Sequence, residues 1–111
     1  MKKEKLKARK FLGGMFLILL SILEKHKKEG YLKDEIIKKI KIHTDHEITN
    51  GALHTTLQRM ENSLLVSSKL GESSNRRGGK SRRIYNITKK GAKDLNYTRK
   101  YLLKLWGYKD I

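Results

Sequence analysis

Residues 73–88 read SSNRRGGKSRRIYNIT, with Arg76, Arg77, Lys80, Arg82 and Arg83 crowded around Gly78 and Gly79. Arginine forks of this kind pair with phosphate oxygens or enter a narrow minor groove. The ending GGKS also resembles the close of a nucleotide-binding loop. That loop requires a glycine at position 74, which is Ser, and a helix after the lysine, where a strand-patterned run stands instead. A second set lies in NGALHTTLQRMENSLL, where Asn50, His54, Thr55, Gln58 and Arg59 recur at one and two helical turns. Amides, hydroxyls and a guanidinium so spaced suit base edges and phosphates in a major groove, although any single polar helix face is more often merely solvated. His43 and His46 sit beside Asp45 and Glu47, but all four fall in one polar connector with no distant ligand, which reads as a solvated turn and not a metal site. No Ser/His/Asp arrangement is legible and paired carboxylates are scarce, so neither an enzyme nor a cofactor is expected.

The balance of charge points the same way. Lys and Arg number 27 against 11 Asp and Glu in 111 residues, a formal +16. Self-repulsion on that scale costs stability, and its usual counterpart is a polyanion, either nucleic acid or an anionic membrane surface. The length fits one domain with a modest core. Cysteine is absent, which excludes disulfide frameworks, thiolate zinc sites and cysteine nucleophiles and fits a reducing compartment. The most apolar run, MFLILLSIL at 15–23, is closed by Lys10 and Glu24, far short of the roughly 20 apolar residues a membrane span needs. No small-residue cleavage site follows it. It reads as a buried helix of a cytoplasmic protein with no membrane partner.

These residues need elements to position them. Residues 1–10 form a basic arm with little pattern. A first helix is predicted over 11–26 from the spacing of Leu12, Met15, Phe16, Leu19, Leu20 and Leu23. Gly13 and Gly14 mark either its first turn or a close helix contact. A second helix is predicted over 32–42, with Leu32, Ile36, Ile37 and Ile40 inward. Thr49 caps a third, whose apolar face is Leu53, Leu57, Met60 and Leu64. Two strand-like segments flank the basic loop. In the second, Ile84 and Asn86 alternate with Tyr85 and Ile87, so the pair reads as a hairpin and the loop as its tip. Thr88 caps a last helix predicted over 89–108. Three helices followed by a two-stranded wing make a winged helix-turn-helix: mainly α with a small β-hairpin, plus an additional C-terminal helix.

The stretch GALHTTLQRMENSLLVSSKLGE, followed by RRGGKSRRIYNITKKGAKDL, resembles the PadR family of bacterial transcriptional regulators. In that family a recognition helix of the pattern GALYTTLxRLExKGxVxS leads into a wing ending YxxTxxG. The pattern is met here by Gly51, Ala52, Leu53, Thr55, Thr56, Leu57, Arg59, Glu61, Val66 and Ser68, then by Tyr85, Thr88 and Gly91. Trp106 and the glycine-rich wing resemble a short-tailed branch. The chain departs from the pattern at His54, where the family has an aromatic, at Leu64, where it has the glycine ending the helix, and at Leu32 in the dipeptide Tyr31–Leu32.

The resemblance implies a homodimeric DNA-binding regulator, a repressor acting on a pseudo-palindromic operator. Residues 11–88 would form the DNA-binding domain and 89–111 a dimerisation helix. Groove and phosphate contacts are then expected from Thr49, Asn50, His54, Thr55, Gln58 and Arg59, and from the wing residues Arg76, Arg77, Lys80, Arg82 and Arg83. The first helix is apolar on more than one stripe, which agrees with an interface built from Phe16, Leu19, Leu20, Tyr101, Leu102, Leu105 and Trp106. Some relatives take a small aromatic effector, which Tyr97, Tyr101 and Trp106 could line, although dimer packing explains these aromatics more simply. A basic RNA-binding or ribosome-associated winged-helix module is the competing reading, but its usual stacking aromatics are not on the predicted reading face.

Overall fold

The computed structural model describes residues 11–71 and 82–107. Helix α1, Gly14–Leu23, starts at the glycine pair and tightens into a 3-10 turn over Glu24–His26. A Cβ on Gly13 or Gly14 would meet nothing within 4 Å, so the pair marks the helix start and not a close helix contact. No side chain caps α1. Its entry is held from a distance, by the Leu12 N–H donating to the buried Thr98 Oγ1 at 3.0 Å.

A two-residue strand β1, Tyr31–Leu32, precedes helix α2, Lys33–Thr44. No sequence pattern announces β1, because two residues carry no period. It exists through pairing, with Tyr31 opposite Tyr85 and Leu32 opposite Ile84. Gly30 makes the approach feasible: its φ is +76°, and a Cβ there would stand 2.6 Å from Ile84 Cγ2. Glu35 Oε1 accepts the Leu32 N–H at 2.9 Å and satisfies one orphan donor at the start of α2. Helix α2 runs two residues past the expected end, so His43 lies in its last turn and not in the connector with Asp45, His46 and Glu47. Lys41 Nζ, also in that turn, pairs with Glu47 at 2.9 Å, and both histidines are exposed. Among the described residues no group of three or more His, Asp or Glu could hold a metal ion.

Helix α3, Asn50–Asn62, is capped as expected, with Thr49 Oγ1 accepting the Ala52 N–H at 3.1 Å. Leu53, Leu57 and Met60 are fully buried. Leu64 does not extend that face. It lies beyond the helix with φ +64° and is 66% exposed. The Leu65 N–H bonds to Met60 O at 2.9 Å and the Leu64 N–H to Glu61 O at 3.0 Å, the paired bonds of a Schellman close. Leu64 therefore occupies the left-handed position that glycine normally fills, and its side chain is turned away from the core.

Strands β2, Val66–Leu70, and β3, Arg83–Ile87, pair antiparallel with Ser68 opposite Tyr85, and β1 adds on the other side to give the order β1-β3-β2. Tyr85 is buried and Ile87 packs on the core, as the alternation requires. On the opposite face Asn86 Nδ2 donates to Lys27 O and Lys28 O at 2.8 and 3.2 Å, tying the loop before β1 to the sheet. Helix α4, Lys89–Leu105, is capped by Thr88, whose Oγ1 accepts the Gly91 N–H at 2.9 Å. It ends three residues before the predicted Tyr108, which lies outside the described residues.

The core joins Leu12, Leu19, Leu20 and Leu23 to Ile36, Ile40, Leu53, Leu57, Met60, Tyr85 and Leu95. Leu19 and Leu20, expected at a subunit interface, are both at 0% exposure within the protomer. Their side of α1 is covered by the chain's own helices and sheet, so neither is available to a second copy.

Candidate nucleic-acid interface

Because Leu53, Leu57 and Met60 lock one side of α3 into the core, the other side must face outward. Asn50, His54, Thr55, Gln58 and Arg59 are all exposed there. Their hydrogen-bonding capacity is partly set by the helix itself. Thr55 Oγ1 donates to Gly51 O at 3.1 Å, which leaves its lone pairs as acceptors. Thr49 Oγ1 already accepts the Ala52 N–H, so its own proton is directed away from the helix as a donor. Amide, imidazole and guanidinium groups complete a face able to offer both donors and acceptors to base edges.

The wing is only partly described. Arg76, Arg77 and Lys80 lie outside the described residues, whereas Arg82 immediately precedes β3 and Arg83 opens it. Arg82 approaches Asp34 at 4.0 Å, both side chains being exposed. The Gly71 N–H bonds to Arg82 O at 2.7 Å, so the two strands remain joined where the loop departs. Arg83 is engaged differently. Its Nη1 donates to Ser68 Oγ at 3.1 Å, and that hydroxyl donates to Glu61 Oε2 at 2.7 Å.

The base of the wing is anchored to α3 by a second joint. Thr88 donates its N–H to Leu65 O at 3.1 Å, and its Oγ1 lies 2.6 and 3.0 Å from Leu64 O and Leu65 O. Gly91 packs directly on the same carbonyl, where a Cβ would stand 2.2 Å from Leu65 O. The turn that ends α3 is thus gripped by the first turn of α4.

Helix α4 is itself half committed to the protomer. Leu95 and Thr98 are fully buried, and Arg99 forms a two-pronged pair with Glu24 at 3.1 and 3.2 Å. Hydrogen bonding to Arg99 holds the Glu24 carboxyl below its ordinary range and raises the Arg99 guanidinium above its own. The other side is open, with Tyr101, Leu105 and Trp106 exposed by 50, 68 and 63%. Tyr101 stacks with Tyr97 at 5.9 Å and meets Phe11 edge-on at 5.6 Å. Phe16 and Leu102 are half-buried. A separate groove of about 430 Å³ between α1 and α2 is floored by Leu17, Ile18, Ile22 and Tyr31, and none of Tyr97, Tyr101 or Trp106 lines it.

An exposed polar face on the third helix, two strands leading into a basic loop, and a threonine–glycine joint at the wing's base form one constellation. The model of the transcriptional regulator PadR-like family matches residues 19–97. The chain belongs to that family. Among solved structures, a PadR-like transcription factor from Bacteroides fragilis superposes with a TM-score of 0.67 at 24% identity, covering 82% of each chain. A PadR-like transcriptional regulator from Bacillus cereus gives 0.67 at 24%, covering 83% of this chain and 84% of that one. A transcriptional regulator from Clostridium thermocellum gives 0.63 at 28%, covering 82% and 87%. No curated protein matches the sequence. Among the described residues no helix is long and apolar enough to cross a membrane.

In this PadR-like chain, sequence reasoning passed over two residues that the structure draws into the site. Glu61 and Ser68 belong to the family pattern, yet by residue type they are an ordinary helix carboxylate and an ordinary strand hydroxyl. The available signal was spacing: the last turn of a helix, a tight turn, and the face of the following strand that Ser68 shares with Val66 and Tyr85.

Proposed function

We propose that the protein is a sequence-specific DNA-binding regulator that acts as a homodimer, with α3 in the major groove and the wing on neighbouring phosphates. The observation that carries this reading is the division of α3, whose three core residues are fully buried while Asn50, His54, Thr55, Gln58 and Arg59 face outward. A helix so anchored presents a fixed array to base edges. The formal charge of +16 supplies the sequence-independent attraction to the backbone. Arg76, Arg77, Lys80 and Arg82 provide the wing's phosphate or minor-groove contacts. The open face of α4, with Tyr101, Leu105 and Trp106, provides the contact between copies together with Phe16 and Leu102. Two copies would then meet half-sites about one helical turn, ~34 Å, apart on a pseudo-palindrome. Occupancy of such an operator blocks polymerase, so repression is the proposed sign of regulation.

Selection from random duplex DNA and RNA pools, with a salt titration, tests the reading. An enriched DNA inverted repeat is expected, with affinity falling steeply with salt. Arg59→Ala and Gln58→Ala should each cost about 1–3 kcal/mol and relax preference at particular positions. Arg76→Ala and Arg77→Ala should weaken all duplexes alike, each lowering the salt slope by about 0.9 per lost phosphate contact. Enrichment of RNA, or salt-sensitive DNA binding with no enriched motif, would defeat the reading.

A further inference from the structure

Arg83 stands at the mouth of a basic wing, yet its guanidinium is turned onto its own fold. Nη1 donates to Ser68 Oγ at 3.1 Å, on the neighbouring strand β2. Ser68 is opposite Tyr85, so Arg83 reaches it along the short diagonal that same-face residues share across a strand pair. The Ser68 hydroxyl then donates to Glu61 Oε2 at 2.7 Å, in the last turn of α3. The direction of both bonds is fixed by chemistry. A guanidinium can only donate and an ionised carboxylate can only accept, so the hydroxyl between them has one orientation that satisfies both. Each bond polarises the other, and the ends carry opposite charge.

Three elements are therefore tied at one point: the helix offered to the groove and both strands of the wing. Tyr85 lies beneath them: burial chiefly raises its phenol, the nearby Glu61 carboxylate raises it further, and Arg83 lowers it. Glu61 is also one of only 11 acidic residues in the chain, and it lies on the helix proposed to approach a polyanion. A bare carboxylate there would repel phosphate, and Arg83 offsets it.

We propose that Arg83 is a positioning residue, bracing Glu61 through Ser68 so that α3 and the wing keep the relative angle on which selective duplex reading depends. The inference rests on the DNA-binding reading above. It differs from a phosphate-gripping Arg83 in what removal should do. Loss of a phosphate contact weakens every duplex alike and lowers the salt slope by about 0.9. Loss of a brace lowers the preference for the selected duplex and leaves the slope nearly unchanged.

The test uses the full chain and the selected duplex beside a shuffled one. Arg83→Ala and Ser68→Ala are expected to lower the affinity ratio between the two by on the order of tenfold. Ser68→Thr, which keeps a hydroxyl, should restore the ratio. A slope reduced by about 0.9 with equal losses on both duplexes would overturn the proposal, as would an unchanged ratio. Thermal unfolding of Arg83→Ala, Glu61→Gln and the double variant decides the brace without DNA. The double variant should lose less than the sum of the single Tm shifts, and simple additivity would refute the brace. A wild-type chain with no duplex preference, together with a non-additive thermal cycle, would locate the failure in the DNA-reading proposal.

Discussion

Gly91→Ala puts the joint between α3 and α4 under direct test. The added Cβ would stand 2.2 Å from Leu65 O, 3.1 Å from Leu65 C and 3.0 Å from Ile87 Cγ1. Two of these neighbours are backbone, so no rotamer change relieves the contact. Helix α4 must retreat by roughly 1 Å to reach ordinary separation. That retreat stretches the bonds from Thr88 N–H and Oγ1 to Leu65 O, now 3.1 and 3.0 Å. Each is worth about 1 kcal/mol, and overpacking adds about 1–3 kcal/mol. Alanine's better helix propensity returns about 1 kcal/mol. The net expectation is a loss of about 2–4 kcal/mol, which for a domain near this size lowers Tm by roughly 8–17 °C.

Gly51→Ala is the control, because a Cβ there meets nothing within 4 Å. It should gain up to about 1 kcal/mol from the same propensity difference. Thermal unfolding by circular dichroism reads both variants. Gly91→Ala with a Tm equal to or above wild type would refute the close-approach explanation, whatever Gly51→Ala does.

Three further outcomes follow from the geometry. At position 64 the usual order of helix formers should invert: Leu64→Gly is expected to be more stable than Leu64→Ala by about 1 kcal/mol, because only glycine escapes the cost of the left-handed backbone at φ +64°. Denaturant midpoints for the two variants check this, and alanine proving the more stable would contradict it. The Glu24–Arg99 pair gives a pH dependence, since its carboxyl is held below the ordinary 4.5 chiefly by hydrogen bonding to Arg99. The unfolded chain then takes up the proton first as pH falls. The advantage of wild type over Glu24→Gln should be full at neutral pH and disappear progressively as pH falls below about 4.5 through the lowered value. It should stay under about 1 kcal/mol, because both side chains are partly exposed. Finally, Leu105→Glu with Trp106→Glu should convert a sedimenting dimer to a monomer, and an unchanged sedimentation coefficient would remove α4's open face from the dimer proposal.

Much of this architecture was legible because the relevant patterns are local. Leu53, Leu57 and Met60 at helical spacing gave the buried face of α3, and Thr49 and Thr88 gave two caps through a single hydroxyl each. The alternation in RIYNI gave β3 with Tyr85 inward. What escaped depended on partners distant in the chain. β1 has no pattern of its own and is defined by Tyr85 and Ile84, more than fifty residues away. Leu64 fits the apolar spacing of α3, so periodicity assigned it to the core, whereas the Schellman close ended the helix first. Leu19 and Leu20 show the reverse error. An unusually apolar helix suggested a second subunit, but a small sheet and three other helices proved enough to cover them.

That coverage changes what the unusual apolarity of α1 means. If Leu19 and Leu20 are spent within the protomer, α1 contributes to a dimer only through half-buried positions such as Phe16, and the exposed apolar area shifts to α4. Yet α4 is also the element whose first turn grips the end of α3, through Thr88 and Gly91. Its early residues are fixed to α3, its middle is fixed to α1 by Leu95, Thr98 and the Arg99–Glu24 pair, and its last turns are open. A rigid helix so fixed at one end transmits the placement of a partner at its other end to the turn beneath α3. The spacing of two recognition helices in the proposed dimer would then be set by how the partners' last turns meet. Substitutions at Tyr101 or Leu105 that preserve dimerisation should accordingly change the preferred half-site spacing, while those at Gln58 or Arg59 change the preferred bases. Selecting duplexes with variable spacers separates the two effects, and a Tyr101→Leu dimer with wild-type spacing would show that the helix carries no such constraint.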